Sequence, residues 1–320
     1  MKVLNESVFE SAEGYHAARI PGIVLSADGT LTAYCELRRS GSDWAVIDIG
    51  VKRSLDGGRH WSEREILVSG GKNDTVNNPL MIADGNTLHF FRCLNYSRVF
   101  YMKSTDGGRS WGEERELTER IRECTGDFFW SCIATGPTHG LCLSTGRLLV
   151  PLWLAFNRED PKSHHPSAVS LLYSDDSGES FSTGEIFGGL NDPSEFCIAE
   201  LGGKTLINIR HENEEKCRAV GEITPDGRFS DIRFLKALPD PVCCAGMCSA
   251  GDEILFSNCE DEKERIKLTL KRLDGKFNIT ERLLLSEKGG YSDIAVNPET
   301  REAVILFERD NKIFCNTVLL

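Results

Sequence analysis

The chain has 320 residues, with 37 Lys+Arg against 49 Asp+Glu, a formal charge of −12, and 40% hydrophobic and 27% charged residues. That balance belongs to a globular protein and excludes disordered and fibrous classes; no apolar run approaches the roughly 18 residues of a membrane-spanning helix. The acid excess, with no basic run, argues against nucleic acid or an anionic membrane as partner, and the opening MKVLNESVFESAEGYH has no signal-like apolar core, so the expected compartment is the cytoplasm.

In chain order, GIVLS-ADG-TLTAYCEL, PLMI-ADGN-TLHFFRCL, LCLS-TG-RLLVPLWLAF, CIAEL-GG-KTLINIR and DEILFSNC with IKLTLKRL-DGK read as short strands joined by Gly-containing turns. Almost nothing has helical period. One turn repeats: Ser54-Leu55-Asp56-Gly57-Gly58-Arg59-His60-Trp61 returns as Ser104-Thr105-Asp106-Gly107-Gly108-Arg109-Ser110-Trp111, and more weakly as Ser174-Asp175-Asp176-Ser177-Gly178-Glu179-Ser180-Phe181. In this S-x-D-x-G-x-x-W/F pattern the Asp carboxylate accepts from turn N–H groups, the Gly supplies positive φ, and the aromatic folds back on the strands. The copies stand 50 and then 70 residues apart. About six units of roughly 50 residues fill the chain, the size of a propeller blade, so the expectation is an all-β, six-bladed β-propeller of four-stranded antiparallel blades over 1–320. KVLNESVF is expected to supply a strand to the last blade, and the length leaves little for a lectin module or a long insertion.

Twelve cysteines, with no CxxC, sit mostly inside apolar strands such as TAYCEL and KIFCNTV and read as reduced core residues. Only Cys243-Cys244-xxx-Cys248 clusters, and neither a zinc site nor a Cys nucleophile is marked. No cofactor and no metal is expected.

The repeated turns are Asp boxes (BNR repeats), and a second set of residues, in order along the chain, resembles the exo-α-sialidase (neuraminidase) family of retaining glycoside hydrolases. Arg19-Ile20-Pro21 matches that family's Arg-Ile-Pro signature, with Ala18 in place of its usual aromatic. Glu36-Leu37-Arg38 and Gly41-Ser42-Asp43 follow, the latter similar to the loop that carries the acid/base Asp. Ala134-Thr135-Gly136-Pro137-Thr138-His139-Gly140 with Gly146-Arg147-Leu148-Leu149-Val150-Pro151 resembles TGPG…GRLVVP. Ser194-Glu195 and Asn208-Ile209-Arg210 resemble the NE…NAR pair, although Glu195 stands in DPSE and the spacing is one residue shorter. Arg265 precedes Leu268-Thr269-Leu270 as the third Arg does, and Tyr291-Ser292-Asp293 and Leu306-Phe307-Glu308 match the nucleophile and the Glu that supports the first Arg. The resemblance implies Asp43, Glu195 and Tyr291 as catalytic residues, and Arg19, Arg210, Arg265, Glu308, Glu36 and Arg38 as substrate-binding. In it the boxes lie away from the active site and are structural.

Such residues suit a sialoside, which carries a carboxylate on its anomeric carbon. Three arginines bind it by charge-assisted, partly bidentate bonds that lysines cannot reproduce. Glu308, with Glu36 as a further candidate, would hold one of the three cations in place. A carboxylate nucleophile would meet like charge at that carbon, whereas a phenol activated by an adjacent base does not; sialidases with Tyr nucleophiles are an exception to the two-carboxylate rule. Asp43 would protonate the leaving oxygen, its pKa raised in a partly desolvated pocket closed by the anionic substrate.

The resemblance makes sialylated oligosaccharides or glycoconjugates the expected partners. On the same site it leaves hydrolysis, intramolecular transfer and action on the deaminated sugar open, beside a non-catalytic glycan-binding propeller. Asn95, Arg92 and Trp130 are candidates for the acyl and glycerol pockets. Trp44 either stacks on substrate or anchors its loop, Asp48 supports a strand, His139 is a turn residue, and His164-His165 is a loop pair.

Overall fold

The computed structural model describes residues 6–11 and 14–320. Six antiparallel sheets stand around one axis. Blade 1 is Ala17–Leu25, Leu31–Arg38, Ile47–Ser54 and Glu65–Val68; blade 2 is Val76–Asp84, Thr87–Leu94, Arg98–Ser104 and Arg115–Glu116. Blade 3 is Cys132–Thr135, Leu148–Ala155, Ser167–Ser174 and Ser182–Thr183, with Leu141–Cys142 as an extra pairing on its second strand. Blade 4 is Phe196–Leu201, Lys204–Ile209, Cys217–Ile223 and Phe229–Pro239, and blade 5 is Gly246–Ala250, Glu253–Cys259, Ile266–Leu273 and Ile279–Lys288. Blade 6 is Ser292–Asn297, Glu302–Arg309 and Lys312–Leu319, completed by Glu6–Phe9. The expected closing strand is therefore present over 6–9, while 2–5 lie outside the described residues.

Every blade is packed on both sides, which explains a departure from the expected alternation. Leu31–Arg38 and Leu148–Ala155 are buried at every position, because each faces a neighbouring blade on either side. Alternation survives in outer strands such as Phe229–Pro239. The apolar core is accordingly divided into seams. Leu80, Phe91 and Tyr101 of blade 2 meet Leu148, Val150 and Leu172 of blade 3; Phe196 and Ile207 of blade 4 meet Trp153 and Leu171. Phe9 and Leu306 of blade 6 meet Ile23 and Leu37 of blade 1. The blade 2–3 seam also takes Leu117 and Ile121 from the start of the helix Thr118–Thr125, part of the extra length between the second and third boxes.

The boxes join the third strand to the fourth. In each, the Ser hydroxyl accepts from the Gly N–H (Gly58, Gly108 and Gly178, all 2.9 Å) and donates to the Asp, which accepts from the backbone of residue 60, 110 or 180. These glycines have φ of 83°, 80° and 86°, where a Cβ would be strained. The aromatic goes into the seam with the preceding blade: Trp61 against blade 6, Trp111 against blade 1, Phe181 against blade 2. Two further turns repeat this design in weaker form. Thr224 donates to Asp226 (2.6 Å) and Phe229 enters the blade 3–4 seam; Asp274 accepts from Asn278 N–H (2.9 Å) and Phe277 enters the blade 4–5 seam. Thr224 and Asp274 continue the 50-residue spacing after Ser174, a signal the sequence offered behind altered residues.

Candidate active site

The strand register puts the candidate residues on the edge opposite the boxes. Arg19 and Asn78 lie at the starts of innermost strands, Glu195 and Tyr291 just before them, and Arg38, Arg210 and Glu308 at or just beyond the ends of second strands. Arg19, Arg38, Asp43, Asn78, Tyr96, Trp153, His164, His165, Ser194, Glu195, Arg210, Glu212, Arg265 and Tyr291 line one pocket.

Local backbone irregularities aim several of them. Between Arg19 and Gly22 the register with Leu31–Arg38 shifts, and Ile20, a β-branched residue, has φ of 57°. Glu308 accepts from Ile20 N–H (2.9 Å) and so stabilises that turn. Gly22 then lies against the ring of Tyr34, where an added Cβ would sit 2.1 Å from a ring carbon. Tyr34 reaches across the channel to Thr138 O (3.0 Å), and His139 Nδ1 lies 2.8 Å from Asp293, so the Gly136–Gly140 stretch ties blades 3, 1 and 6 together. An equivalent shift at Asn77–Leu80, with Asn78 at φ 53°, brings Asn78 N–H to Glu36 (2.7 Å).

Three guanidiniums surround one phenol. Arg19, Arg265 and Arg210 lie 5.4, 5.2 and 6.0 Å from the centre of the Tyr291 ring. Tyr291 Oη donates to Glu195 (2.6 Å) and accepts from Arg210 Nη1 (2.7 Å), and the same Arg210 nitrogen bonds Glu195. Burial drives the Tyr291 hydroxyl well above its ordinary pKa, against the pull of Arg210 and Arg265. Beneath it Ile20, Cys243, Cys244 and Cys259 form a closed apolar floor.

Arg19 is clamped by Glu308 through two bonds (2.9 and 3.2 Å), and the carboxylate also accepts from Tyr291 N–H (3.2 Å). Burial works to raise the Glu308 pKa, but Arg19 and the backbone N–H of Ile20 outweigh it and hold the group ionised. Among the described residues no carboxylate lies in ion-pair range of Arg265. That cation is held ready for an external anion.

Glu36 has a different partner from the one expected. Fully buried, it pairs with Arg38 (2.6 Å), which in turn reaches Asp43 (2.5 Å); none of Arg19, Arg210 or Arg265 is its partner. It stands behind Arg38 rather than in the pocket wall. Asp43 lies on the loop after Leu31–Arg38 with its side chain 52% exposed. Burial raises its pKa, but Arg38 lowers it further, so in the free protein the carboxyl is held ionised. The raised value expected for an acid therefore waits on a bound anion.

Other expectations divide. Asp48 accepts from Tyr15 (2.5 Å), Ser69 (2.8 Å) and Gly70 N–H (3.0 Å), the expected support for its strand. Trp44 packs on Tyr96 at 4.9 Å and anchors its loop. Arg92 pairs with Glu114 (2.5 Å), Trp130 is in the blade 2–3 seam, and Asn95 caps Thr75 N–H (2.8 Å); none lines the pocket. Asn78, Tyr96, Trp153, His164 and Ser194 line it instead. His164 and His165 are a loop pair, as expected, but both also line the pocket, carried there by residues 156–166 of blade 3. The repeat carried no signal for them, because this loop interrupts it.

At the mouth His165 stands 3.5 Å from Asp192 and 3.8 Å from Glu212, the only group among the described residues with metal-ligating atoms mutually within 4.8 Å. It is gathered from three loops, so no sequence spacing announces it. No helix is long and apolar enough to cross a membrane.

The family described as "BNR repeat-like domain" matches residues 40–303. A sialidase of Bacteroides fragilis is 26% identical over 339 residues, covering 91% of this chain and 60% of that protein. Sialidase-3 of Mus musculus is 28% identical over 388 residues, covering 97% of this chain and 91% of that one. Among solved structures, Hadza microbial sialidase Hz136 superimposes with a TM-score of 0.87 at 23% identity, over 99% of this chain and 68% of the other. A leech intramolecular trans-sialidase gives 0.79 at 16%, over 98% and 69%; both structures speak to the fold. The chain thus spans about three fifths of the length of the bacterial relative. With a matching model over residues 40–303, the chain belongs to the BNR repeat-like domain family, on a six-bladed sialidase-like propeller, and the relatives it is similar to are sialidases.

Proposed function

We propose that this protein is an exo-α-sialidase that removes terminal α-linked sialic acid from small sialosides or glycoconjugates, with retention. The observation that carries the reading is the convergence of Arg19, Arg210 and Arg265 around Tyr291, whose hydroxyl donates to Glu195. The substrate carboxylate enters between the three guanidiniums. Arg265 meets it without first leaving a carboxylate partner, while Glu308 keeps Arg19 in place.

In the first step Tyr291 Oη bonds to the anomeric carbon as its proton passes to Glu195, and Asp43 gives a proton to the leaving glycosidic oxygen. The short bond to Glu195 supplies the base that burial of the phenol makes necessary. In the second step water attacks the same carbon and gives its proton to Asp43, while Tyr291 Oη departs and recovers its proton from Glu195. Two displacements on one carbon leave the configuration unchanged. Asp43 must be protonated for the first step; the incoming anion competes for the cationic field that keeps it ionised and expels water from its side.

We also place the protein in the cytoplasm; support comes from its twelve cysteines, none in a disulfide and nine of them buried, which suit a reducing compartment. A fluorogenic α-sialoside with mass analysis of the released sugar tests the activity and separates hydrolysis from release of an anhydro sugar. Tyr291→Phe should lose about 10³-fold or more in kcat, and Asp43→Ala should lose least with an activated leaving group. Full activity in Tyr291→Phe would remove the mechanism; an inert wild type would remove the assignment.

A further inference from the structure

Charged groups are buried where blades 4 and 5 meet, behind the pocket rather than in its wall. Arg218, near the start of Cys217–Ile223, and Asp240, in the link to blade 5, are almost wholly buried, and Lys271 in Ile266–Leu273 is fully so. None of the three lines the pocket. One chain of hydrogen bonds joins them. Lys271 Nζ donates to Asn258 Oδ1 (2.7 Å), and Asn258 Nδ2 donates to Pro239 O (2.8 Å) and to Asp240 (3.4 Å). Asp240 accepts from Cys243 N–H (2.9 Å) and lies 3.5 Å from Arg218 Nη1. Arg218 in turn donates to Cys243 O (2.7 Å) and twice to Asn208, at Oδ1 (2.6 Å) and at the backbone O (3.1 Å).

Such a chain is a costly way to hold two blades together. Burial lowers the Lys271 pKa to about 8, against the pull of Glu260 at 3.7 Å. Replacing a buried ion pair by apolar groups of similar volume is often neutral or stabilising. The seam also has an apolar cluster of its own, with Val220 of blade 4 against Met247, Phe256 and Leu273 of blade 5. Cohesion does not account for the charges.

The points that the chain grips do. Asn208 stands two residues before Arg210, and Cys243 belongs to the floor under Tyr291. Lys271 stands on the strand that Arg265 precedes. Two guanidiniums carried by different blades must keep a fixed separation to share one carboxylate, while like charge drives them apart. Resting on the sialidase reading, we propose that Arg218, with Asp240, Asn258 and Lys271, forms a positioning network that fixes Arg210 relative to Arg265 and so sets the preference of the pocket for a carboxylate. The network acts through Arg210 and the Cys243 backbone and touches no substrate.

The test measures kcat and KM on a fluorogenic sialoside, together with competitive inhibition by the released sugar acid and by its C1 carboxamide. Wild type should bind the acid about tenfold or more tighter than the amide. The double variant Arg218→Met, Asp240→Asn removes the ion pair without leaving either charge alone. It should melt close to wild type, raise KM about tenfold, keep kcat within about threefold and lose most of the preference for acid over amide, since the carboxylate is held alike in ground and transition states. Lys271→Met, one bond further from Arg210, should shift KM and the preference the same way by about threefold. Folded variants with KM and preference unchanged, equal weakening of acid and amide, or a wild type without the preference would overturn the proposal. Failure of both variants to fold would overturn it too, because the network would then be a support of the seam. A wild type inert on the sialoside would remove the sialidase reading itself, whereas an active enzyme with an unmoved preference removes only the network.

Discussion

On the lower face five turns, at 54–61, 104–111, 174–181, 224–229 and 274–278, repeat one design, whereas on the upper face Arg19, Asp43, Glu195, Arg265 and Tyr291 each occur once. The lower turns satisfy their own backbone and send an aromatic into the neighbouring seam; they gain stability locally, blade by blade. The upper residues do the reverse. Three guanidiniums are held around one ring, Ile20 and Asn78 take strained φ, and among the described residues no carboxylate is in ion-pair range of Arg265. The difference teaches that the ring tolerates an electrostatically costly face because the opposite face and the seams hold it closed.

Substitutions should therefore separate activity on one face from stability on the other. The largest expected effect is at Arg265. Arg265→Ala removes a cation that has no carboxylate partner among the described residues, so kcat/KM on a sialoside should fall about 10²–10³-fold while the melting temperature is unchanged or rises slightly. A variant that unfolds yet keeps its turnover would reverse the comparison. Next is Phe181→Ala, which empties part of the blade 2–3 seam and should cost about 3–5 kcal/mol in denaturant unfolding with kcat intact in the folded fraction. Ser104→Ala leaves the Gly108 N–H without its acceptor and should cost about 1–2 kcal/mol, again with no change in kcat. Should Ser104→Ala slow the reaction as much as Arg265→Ala, the two faces are not separable.

The smallest effect concerns the cross-channel pair of His139 and Asp293. Burial lowers the His139 pKa, but Asp293 raises it more, so the folded value stands above the ordinary one of about 6.5. The stabilisation from that charge is complete below the unfolded pKa and is lost as pH rises through the folded one. Thermal melts of wild type against His139→Gln should therefore show their widest gap below about pH 6.5 and a narrowing gap above it. A gap independent of pH would mean that the tie is an uncharged hydrogen bond.

Much of this was legible in the sequence, and for a reason. A box writes its hydrogen bonds and its seam contact into eight consecutive residues, so one turn can be recognised alone and three fix the blade. The fourth and fifth copies escaped because Thr224 replaces Ser and because Asp274-Gly275-Lys276-Phe277 abbreviates the turn. Arg19, Arg210, Arg265 and Tyr291 could be named because each stands in a short signature at a strand end. Their convergence needs the closed ring. His164 was not legible: its loop has no counterpart in the repeat, and its environment of Trp44, Tyr96 and Trp153 comes from three blades. Glu36 was assigned to the wrong cation because, although it stands opposite Arg19 across the strand pair, its carboxylate is taken by Arg38, two residues along its own strand, and Arg19 by Glu308.

The pairing of Glu6–Phe9 with Lys312–Leu319 has a consequence in time. A chain emerging from the ribosome can finish blades 1 to 5 in turn, but its earliest strand must wait for its latest. Until then Phe9 has no partner strand, Ile23 and Leu37 have no blade 6 to rest on, and the ring stays an open arc. The arginine cluster exists only once that arc shuts, since Arg19 comes from blade 1 and its clamp, Glu308, from blade 6. Anion binding is thus a property the nascent chain acquires only when blade 6 closes the ring, and a conformation-specific anionic ligand would report the moment of closure.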